Sequence, residues 1–249
     1  NNKWLYPDEV EKNPKGYFVA KNSKTKVIVG PSESMSKSKK NTIDPEIMIK
    51  KYGADSVRWF ILSDSPPEKD VQWSDTGIVS ANKFLQKIWN LNQVILNKAE
   101  LKTSNKEEEK EFENKIDLYV YKIDNAVKGF QFNVAIAQFY EAYRYFNDVI
   151  NFKIRCKILR KNLIKIMKLM IPFTPHIAHE CLVNLKSENI NNWPTVNTSI
   201  LENIKINMVI QINGKTRDVL NIKKDMSEAE VEKLTRNSEK AYKHLKDKK

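Results

Sequence analysis

Between residue 76 and about residue 185, apolar side chains return every three or four positions in successive runs, a spacing that requires helices with one dry face each. Phe84, Ile88, Leu91 and Ile95 make the first stripe, and Phe112, Ile116, Tyr119, Ile123 and Val127 the second. Val134, Ala137, Tyr140 and Phe146 make a third, and Leu159, Leu163, Ile166, Met167 and Met170 a fourth. Pro172 and Pro175 then interrupt the pattern, which His176 to Leu182 resume briefly. Long amphipathic segments joined by short polar connections predict an antiparallel helical bundle over residues 76–196. A chain of 249 residues is long enough for such a core, since this size buries roughly 70–75% of its unfolded surface.

The flanks read differently. In residues 1–75, Tyr17 to Ala20 and Lys26 to Val29 have the look of short strands. Asp44 caps a predicted helix, Pro45 suits its first position and Gly53 closes it. Val57 to Leu62 predict a second short buried helix, and Pro66-Pro67 force a loop. Residues 197–249 alternate Ile204, Ile206, Met208, Ile210 and Ile212 at period two, turn at Asn213-Gly214 and enter a second strand. Ser227 to Glu230 then form a capping box that opens a last helix. The fold class expected is mainly α with a smaller α+β part.

Chemistry is concentrated in residues 34–41, Ser34-Met35-Ser36-Lys37-Ser38-Lys39-Lys40-Asn41, which run into the helix start at Asp44-Pro45. Ammonium groups beside hydroxyls grip phosphate oxygens from several directions, and a helix N-terminus favours anions. A solvated Ser/Lys turn is the plain alternative for eight such residues in isolation.

The stretch that follows resolves this choice. Residues 35–58, with Met35-Ser36-Lys37-Ser38, Asn41, Asp44-Pro45 and Tyr52-Gly53-Ala54-Asp55, resemble the second signature of class I aminoacyl-tRNA synthetases. Within that class, Ser65-Pro66-Pro67-Glu68, Val71 to Asp75 and Gln211 to Lys215 resemble bacterial-type leucyl-tRNA synthetases, in the same order along nearly the whole chain. The resemblance implies ATP as a substrate with Mg2+, leucine and tRNA(Leu) as the other reactants, and three parts. These are the end of the catalytic and stem-contact region (1–75), an anticodon-binding-like bundle (76–196) and a tRNA-binding C-terminal domain (197–249) that stops short of its full length.

The resemblance assigns ATP or pyrophosphate contacts to Met35, Ser36, Lys37, Ser38 and Lys39. Lys37 is the catalytic candidate, stabilising charge on the departing pyrophosphate while leucine's carboxylate attacks the α-phosphate. Ser34 stands where the family has its first lysine, and Lys39 could supply part of that missing charge. No glycine-rich nucleotide loop or His-Ile-Gly-His signature occurs in the sequence. The chain is therefore expected to be a C-terminal piece of a longer enzyme, inactive in isolation. Trp73 is expected to pack at the junction between parts rather than to stack on a base.

A formal charge of +12 and a pI near 9.4 fit a polyanionic partner, although lysine is abundant throughout. Candidate tRNA contacts are Arg58, Arg155, Arg160, Lys161, Lys215 and Arg217, with Lys83, Lys87, Lys157 and Lys165 as further candidates for backbone contacts from the bundle. Solvated faces, or for Arg58 a local acid, are the competing explanation. His176, His179, Cys181 and Cys156 lack a second ligand pair at zinc spacing, so no metal site is expected. Two cysteines fit a reducing cytoplasm, and no apolar span long enough for a membrane occurs in the sequence. A monomer is expected. The alternatives are a tRNA-binding module without chemistry, and the same region of an isoleucyl- or valyl-tRNA synthetase.

Overall fold

The computed structural model describes residues 3–101, 103–196, 205–223, 226–238 and 240. In chain order the main elements are β1 (Val10–Lys12), β2 (Phe18–Ala20), α1 (Pro45–Tyr52), α2 (Ala54–Asp64), α3 (Asp75–Asn97), α4 (Lys106–Lys128), α5 (Phe132–Val149), α6 (Cys156–Met170), α7 (Pro175–Asn184), β3 (Lys205–Ile212), β4 (Lys215–Lys223) and α8 (Glu228–Arg236).

Helix starts follow the side-chain chemistry of their first turns. Asp44 Oδ1 accepts from the Glu46 amide at 2.9 Å, Ser74 Oγ from the Gly77 amide at 3.1 Å, and Asn105 Oδ1 from the Glu107 amide at 3.0 Å. Gly53 ends α1 with φ near 82°, a backbone state that favours glycine. The capping box at Ser227 and Glu230 forms at the start of α8.

Three of the four expected stripes face the core: those of α3 and α6 are fully buried, and so is that of α4 apart from a half-buried Val127. The α5 stripe is a correction. Val134, Ala137 and Tyr140 are exposed, and the buried face is Ala135, Ile136, Phe139, Ala142, Phe146 and Val149. Val134, Ala137 and Tyr140 lie on the polar face marked by Asn133, Glu141, Arg144 and Asp148, and their spacing of three residues imitated an apolar stripe.

Trp59 of α2, fully buried, ties the short helices to the bundle. Its ring stacks on Phe84 with centroids 5.1 Å apart and meets Phe139 and Phe173 at 5.7 and 6.3 Å, while Nε1 donates to Tyr140 Oη at 3.2 Å. Trp73 meets the Phe60 ring edge-on at 5.2 Å and donates to Asp75, the packing role expected of it.

In the N-terminal part β1 and β2 pair antiparallel, Val10 opposite Ala20. The second expected strand does not form among the described residues. Lys26 makes one bridge to Val19, while Ile28 and Val29 are 92% and 63% exposed, so the run lacks a partner past its first residue. At the other end β3 and β4 form a hairpin around Asn213 and Gly214, whose φ values of 54° and 73° suit a primed two-residue turn. Ile204 and the boundary near residue 197 lie outside the described residues.

Candidate functional site

Residues 34–41 fold into a closed loop because Asn41 clasps both of its arms. Its Oδ1 accepts from the Ser36 amide at 2.7 Å and its Nδ2 donates to the Ser34 carbonyl at 3.3 Å. A single 3-10 turn spans Lys37 to Lys39, and Lys40 closes it in the left-handed region with φ 52°. The Ser36 and Ser38 hydroxyls lie 2.8 Å apart and share a hydrogen bond, so they answer each other as well as any incoming oxygen. Met35 is exposed at the tip.

The loop's three ammonium groups are not equivalent. Lys39 is ion-paired with Glu33, and Lys40 Nζ sits 4.6 Å from the centroid of the Tyr6 ring. The exposed Lys37 ammonium has no hydrogen bond, ion pair or ring contact among the described residues. A free ammonium on a clasped loop is a donor ready for an anion, with no internal partner to displace.

The six expected RNA contacts divide by what already holds them. Arg58 donates from Nε to the Phe173 carbonyl at 3.0 Å and from Nη2 to the Pro172 carbonyl, so it bolts α2 to the turn between α6 and α7. Arg160 donates to the Leu96 carbonyl at 2.8 Å. Arg155 grips Glu109 with two side-chain bonds of 2.8 and 2.7 Å, and Lys161 meets Glu113 at 3.0 Å. Lys165 pairs with Asp117, completing a ladder in which three acids spaced four residues apart on α4 answer cations of α6 and its N-cap. Lys215 is exposed beside the hairpin turn. Arg217 is the extra residue of a bulge, half-buried, with an Nε atom that has no hydrogen-bond partner among the described residues.

Glu109 is the most perturbed acid of this ladder. Hydrogen bonds from Arg155 hold its carboxyl down to about 2, against the opposing pull of burial. Glu109, Glu113 and Asp117 escaped the sequence reading, although their four-residue spacing beside the Phe112–Ile116 stripe is a legible signal. Asp55 was read only as part of the signature, and its capping role escaped the sequence reading. Its carboxylate accepts from the His176 and Ile177 amides at 3.4 and 2.8 Å and from His176 Nδ1 at 2.8 Å, capping α7 from a different helix. A cleft of about 650 Å3 opens beside it, lined by Tyr52, Asn82, Trp89 and His176 among others.

The histidines and cysteines do not converge. His179 Nδ1 bonds the Pro175 carbonyl within α7, Cys156 Sγ donates to the Ile95 carbonyl at 3.1 Å, and Cys181 is buried, its thiol pushed up to about 12 by desolvation. Among the described residues no group of three or more His, Cys, Asp or Glu side chains could hold a metal ion. The hydroxyls and free ammonium of the loop suit polyphosphate oxygens, and the carboxylate beside them, Glu33, is taken up by Lys39.

Comparison with known proteins places the chain in a family. The family model for the anticodon-binding domain of tRNA ligase matches residues 109–233, just over half of the chain, and that for class I tRNA synthetases (I, L, M and V) matches residues 26–74. A leucine–tRNA ligase of Zymomonas mobilis is 34% identical over 97% of this chain, and one of Rickettsia massiliae is 37% identical over 100%. The chain belongs to the leucine–tRNA ligase family of class I tRNA synthetases.

It spans 28% and 30% of the length of these two leucine–tRNA ligases. The fold agrees with a solved structure of the same family, the ternary complex of Agrobacterium radiobacter K84 agnB2 LeuRS, tRNA and LeuAMS. The two share a TM-score of 0.67 and 25% identity over 86% of this chain and 28% of that one. The class I match over residues 26–74 contains the clasped loop, α1 and α2, and the anticodon-binding match contains the α4–α6 ladder and the hairpin. Among the described residues no helix is long and apolar enough to cross a membrane.

Proposed function

We propose that this chain supplies the ATP and pyrophosphate loop, together with much of the tRNA-docking surface, of an enzyme that activates leucine with ATP and transfers it to tRNA(Leu). The free Lys37 ammonium on its clasped loop carries this reading, because both neighbouring lysines are already engaged. Lys37 meets the β- and γ-phosphate oxygens, and its hold tightens as negative charge grows on the departing pyrophosphate. Ser36, Ser38 and Lys39 border the same phosphates, and Met35 lies against the nucleotide. Mg2+ travels with ATP and takes no ligand set from this chain.

On the RNA side, Lys215 makes the leading phosphate contact, supported by its exposure, and the half-buried Arg217 two residues on is the second. Arg155 and Lys161 reach RNA only with what their carboxylates leave over, and Arg58 and Arg160 act chiefly by positioning helices. The enzyme works as a monomer in the cytoplasm, where its two buried thiols stay reduced.

The test is Lys37→Ala in the complete enzyme, read by leucine-dependent ATP–pyrophosphate exchange. The expected loss is about 10²–10³ in kcat, with the leucine KM little changed. Equal losses in kcat and in leucine binding overturn the role. A second reading, tRNA docking without chemistry, draws on the wider span of the anticodon-binding match, residues 109–233 against 26–74. It predicts normal exchange in the Lys37 variant and impaired tRNA affinity in the hairpin variants.

A further inference from the structure

Lys40 is a lysine in a place that does not suit a lysine. Its backbone is left-handed, φ 52° and ψ 29°, a state in which side chains other than glycine, asparagine and aspartate are disfavoured. The side chain bends back over Tyr6, whose ring is itself exposed, and an exposed ring holds a cation only weakly. Lys39, the other cation near the loop's end, is neutralised by Glu33.

The Asn41 clasp joins the loop's end to its beginning. Through the bond from Nδ2 to the Ser34 carbonyl, residues 40–41 are held beside residue 34, the position that has lost a cation relative to the resembled signature. We propose that Lys40 is the second phosphate-binding cation of this site, parked on Tyr6 while the loop is empty and transferred to polyphosphate oxygens when ATP or pyrophosphate arrives. The charge missing at Ser34 is thereby restored from the opposite arm of the loop. Lys39 cannot take this part without breaking an ion pair first, whereas Lys40 leaves only a ring face. This rests on the function proposed for Lys37.

The experiment compares Lys40→Gly, Lys40→Asn, Ser34→Lys and the double variant Ser34→Lys/Lys40→Gly in the complete enzyme, measuring kcat/KM for pyrophosphate in exchange and the melting temperature. Glycine and asparagine both accept a positive φ, so neither single change strains the backbone. Lys40→Gly and Lys40→Asn are expected to lower kcat/KM for pyrophosphate about tenfold, the worth of one charge-assisted contact, without lowering the melting temperature. Adding Ser34→Lys is expected to restore most of that loss, because the cation returns to the other side of the clasp. Unchanged kcat/KM in both Lys40 variants overturns the proposal. So does a loss that Ser34→Lys fails to restore, which marks Lys40 as structural. If Lys37→Ala is also silent, the function proposed for the loop falls as well; if Lys37→Ala is damaging and the Lys40 variants are silent, only the second cation falls.

Discussion

A single hydrogen atom decides what residue 77 can be. A Cβ built on Gly77 would lie 2.5 Å from Phe60 Cε2 and 2.9 Å from Cδ2, closer than real Cβ atoms approach. The Phe60 ring is buried and wedged edge-on against Trp73, so it has nowhere to move. Alanine gains about 1 kcal/mol over glycine in helix propensity. Overpacking a tight contact costs about 1–3 kcal/mol, so Gly77→Ala is expected to destabilise by about 1 kcal/mol net. A urea midpoint at or above that of the parent would refute this, and shortening the ring with Phe60→Leu should rescue the variant. Nothing in the local sequence announces the contact, since it depends on how the loop through Pro66 and Pro67 returns α3 to α2. Lys37 is the opposite case. Its neighbours in sequence suggest the chemistry proposed for it, but only the structure separates it from Lys39 and Lys40, because ion pairing to Glu33 and contact with the Tyr6 ring are events in space.

At the level of elements, capping residues and apolar stripes made most helices legible, because both signals are local. The phase of α5 was not, because Val134, Ala137 and Tyr140 sit on its polar face at a spacing that imitates a stripe, and the pairing of α4 with α6 was not, because a charge pattern does not name its partner. That pairing has a pH signature. Glu109 titrates at about 2 in the folded chain against an ordinary value near 4.5, so the unfolded state binds protons first as pH falls. Its contribution to stability is therefore complete above about pH 5 and is lost progressively toward pH 2. A shift of this size corresponds to on the order of 2–3 kcal/mol, toward the lower end because Arg155 is 47% exposed and screened by water. Unfolding free energies from urea titrations at pH 6 and pH 3 should differ by less in Glu109→Gln than in the parent. Parallel pH profiles for the two would show that the ladder carries no such linkage.

For the whole molecule, the position of α2 matters most, because with α1 it joins the clasped Ser/Lys loop to the bundle. Asp55 caps α7 and Arg58 holds the turn before it, so α1, which follows the loop and leads directly into α2, moves with the helices expected to meet RNA. The formal charge of +12 is compatible with a polyanionic partner without deciding it, and it does not say which cations would serve one. Counterion release separates them. A cation free to neutralise an RNA phosphate releases the counterions condensed there and contributes nearly its full share to the salt dependence of binding, while one already neutralised by a carboxylate releases fewer. Lys215 and Arg217 belong to the first kind, and Lys161 and Arg155 to the second, facing Glu113 and Glu109. In plots of log K against log salt for tRNA, Lys215→Ala and Arg217→Ala should each make the slope shallower by about 0.7–0.9. Lys161→Ala should change it by less than half as much, even where its affinity falls. The reverse order, with Lys161 dominating the slope and the hairpin variants silent, would mean that the ladder opens on binding and that the RNA lies along α6.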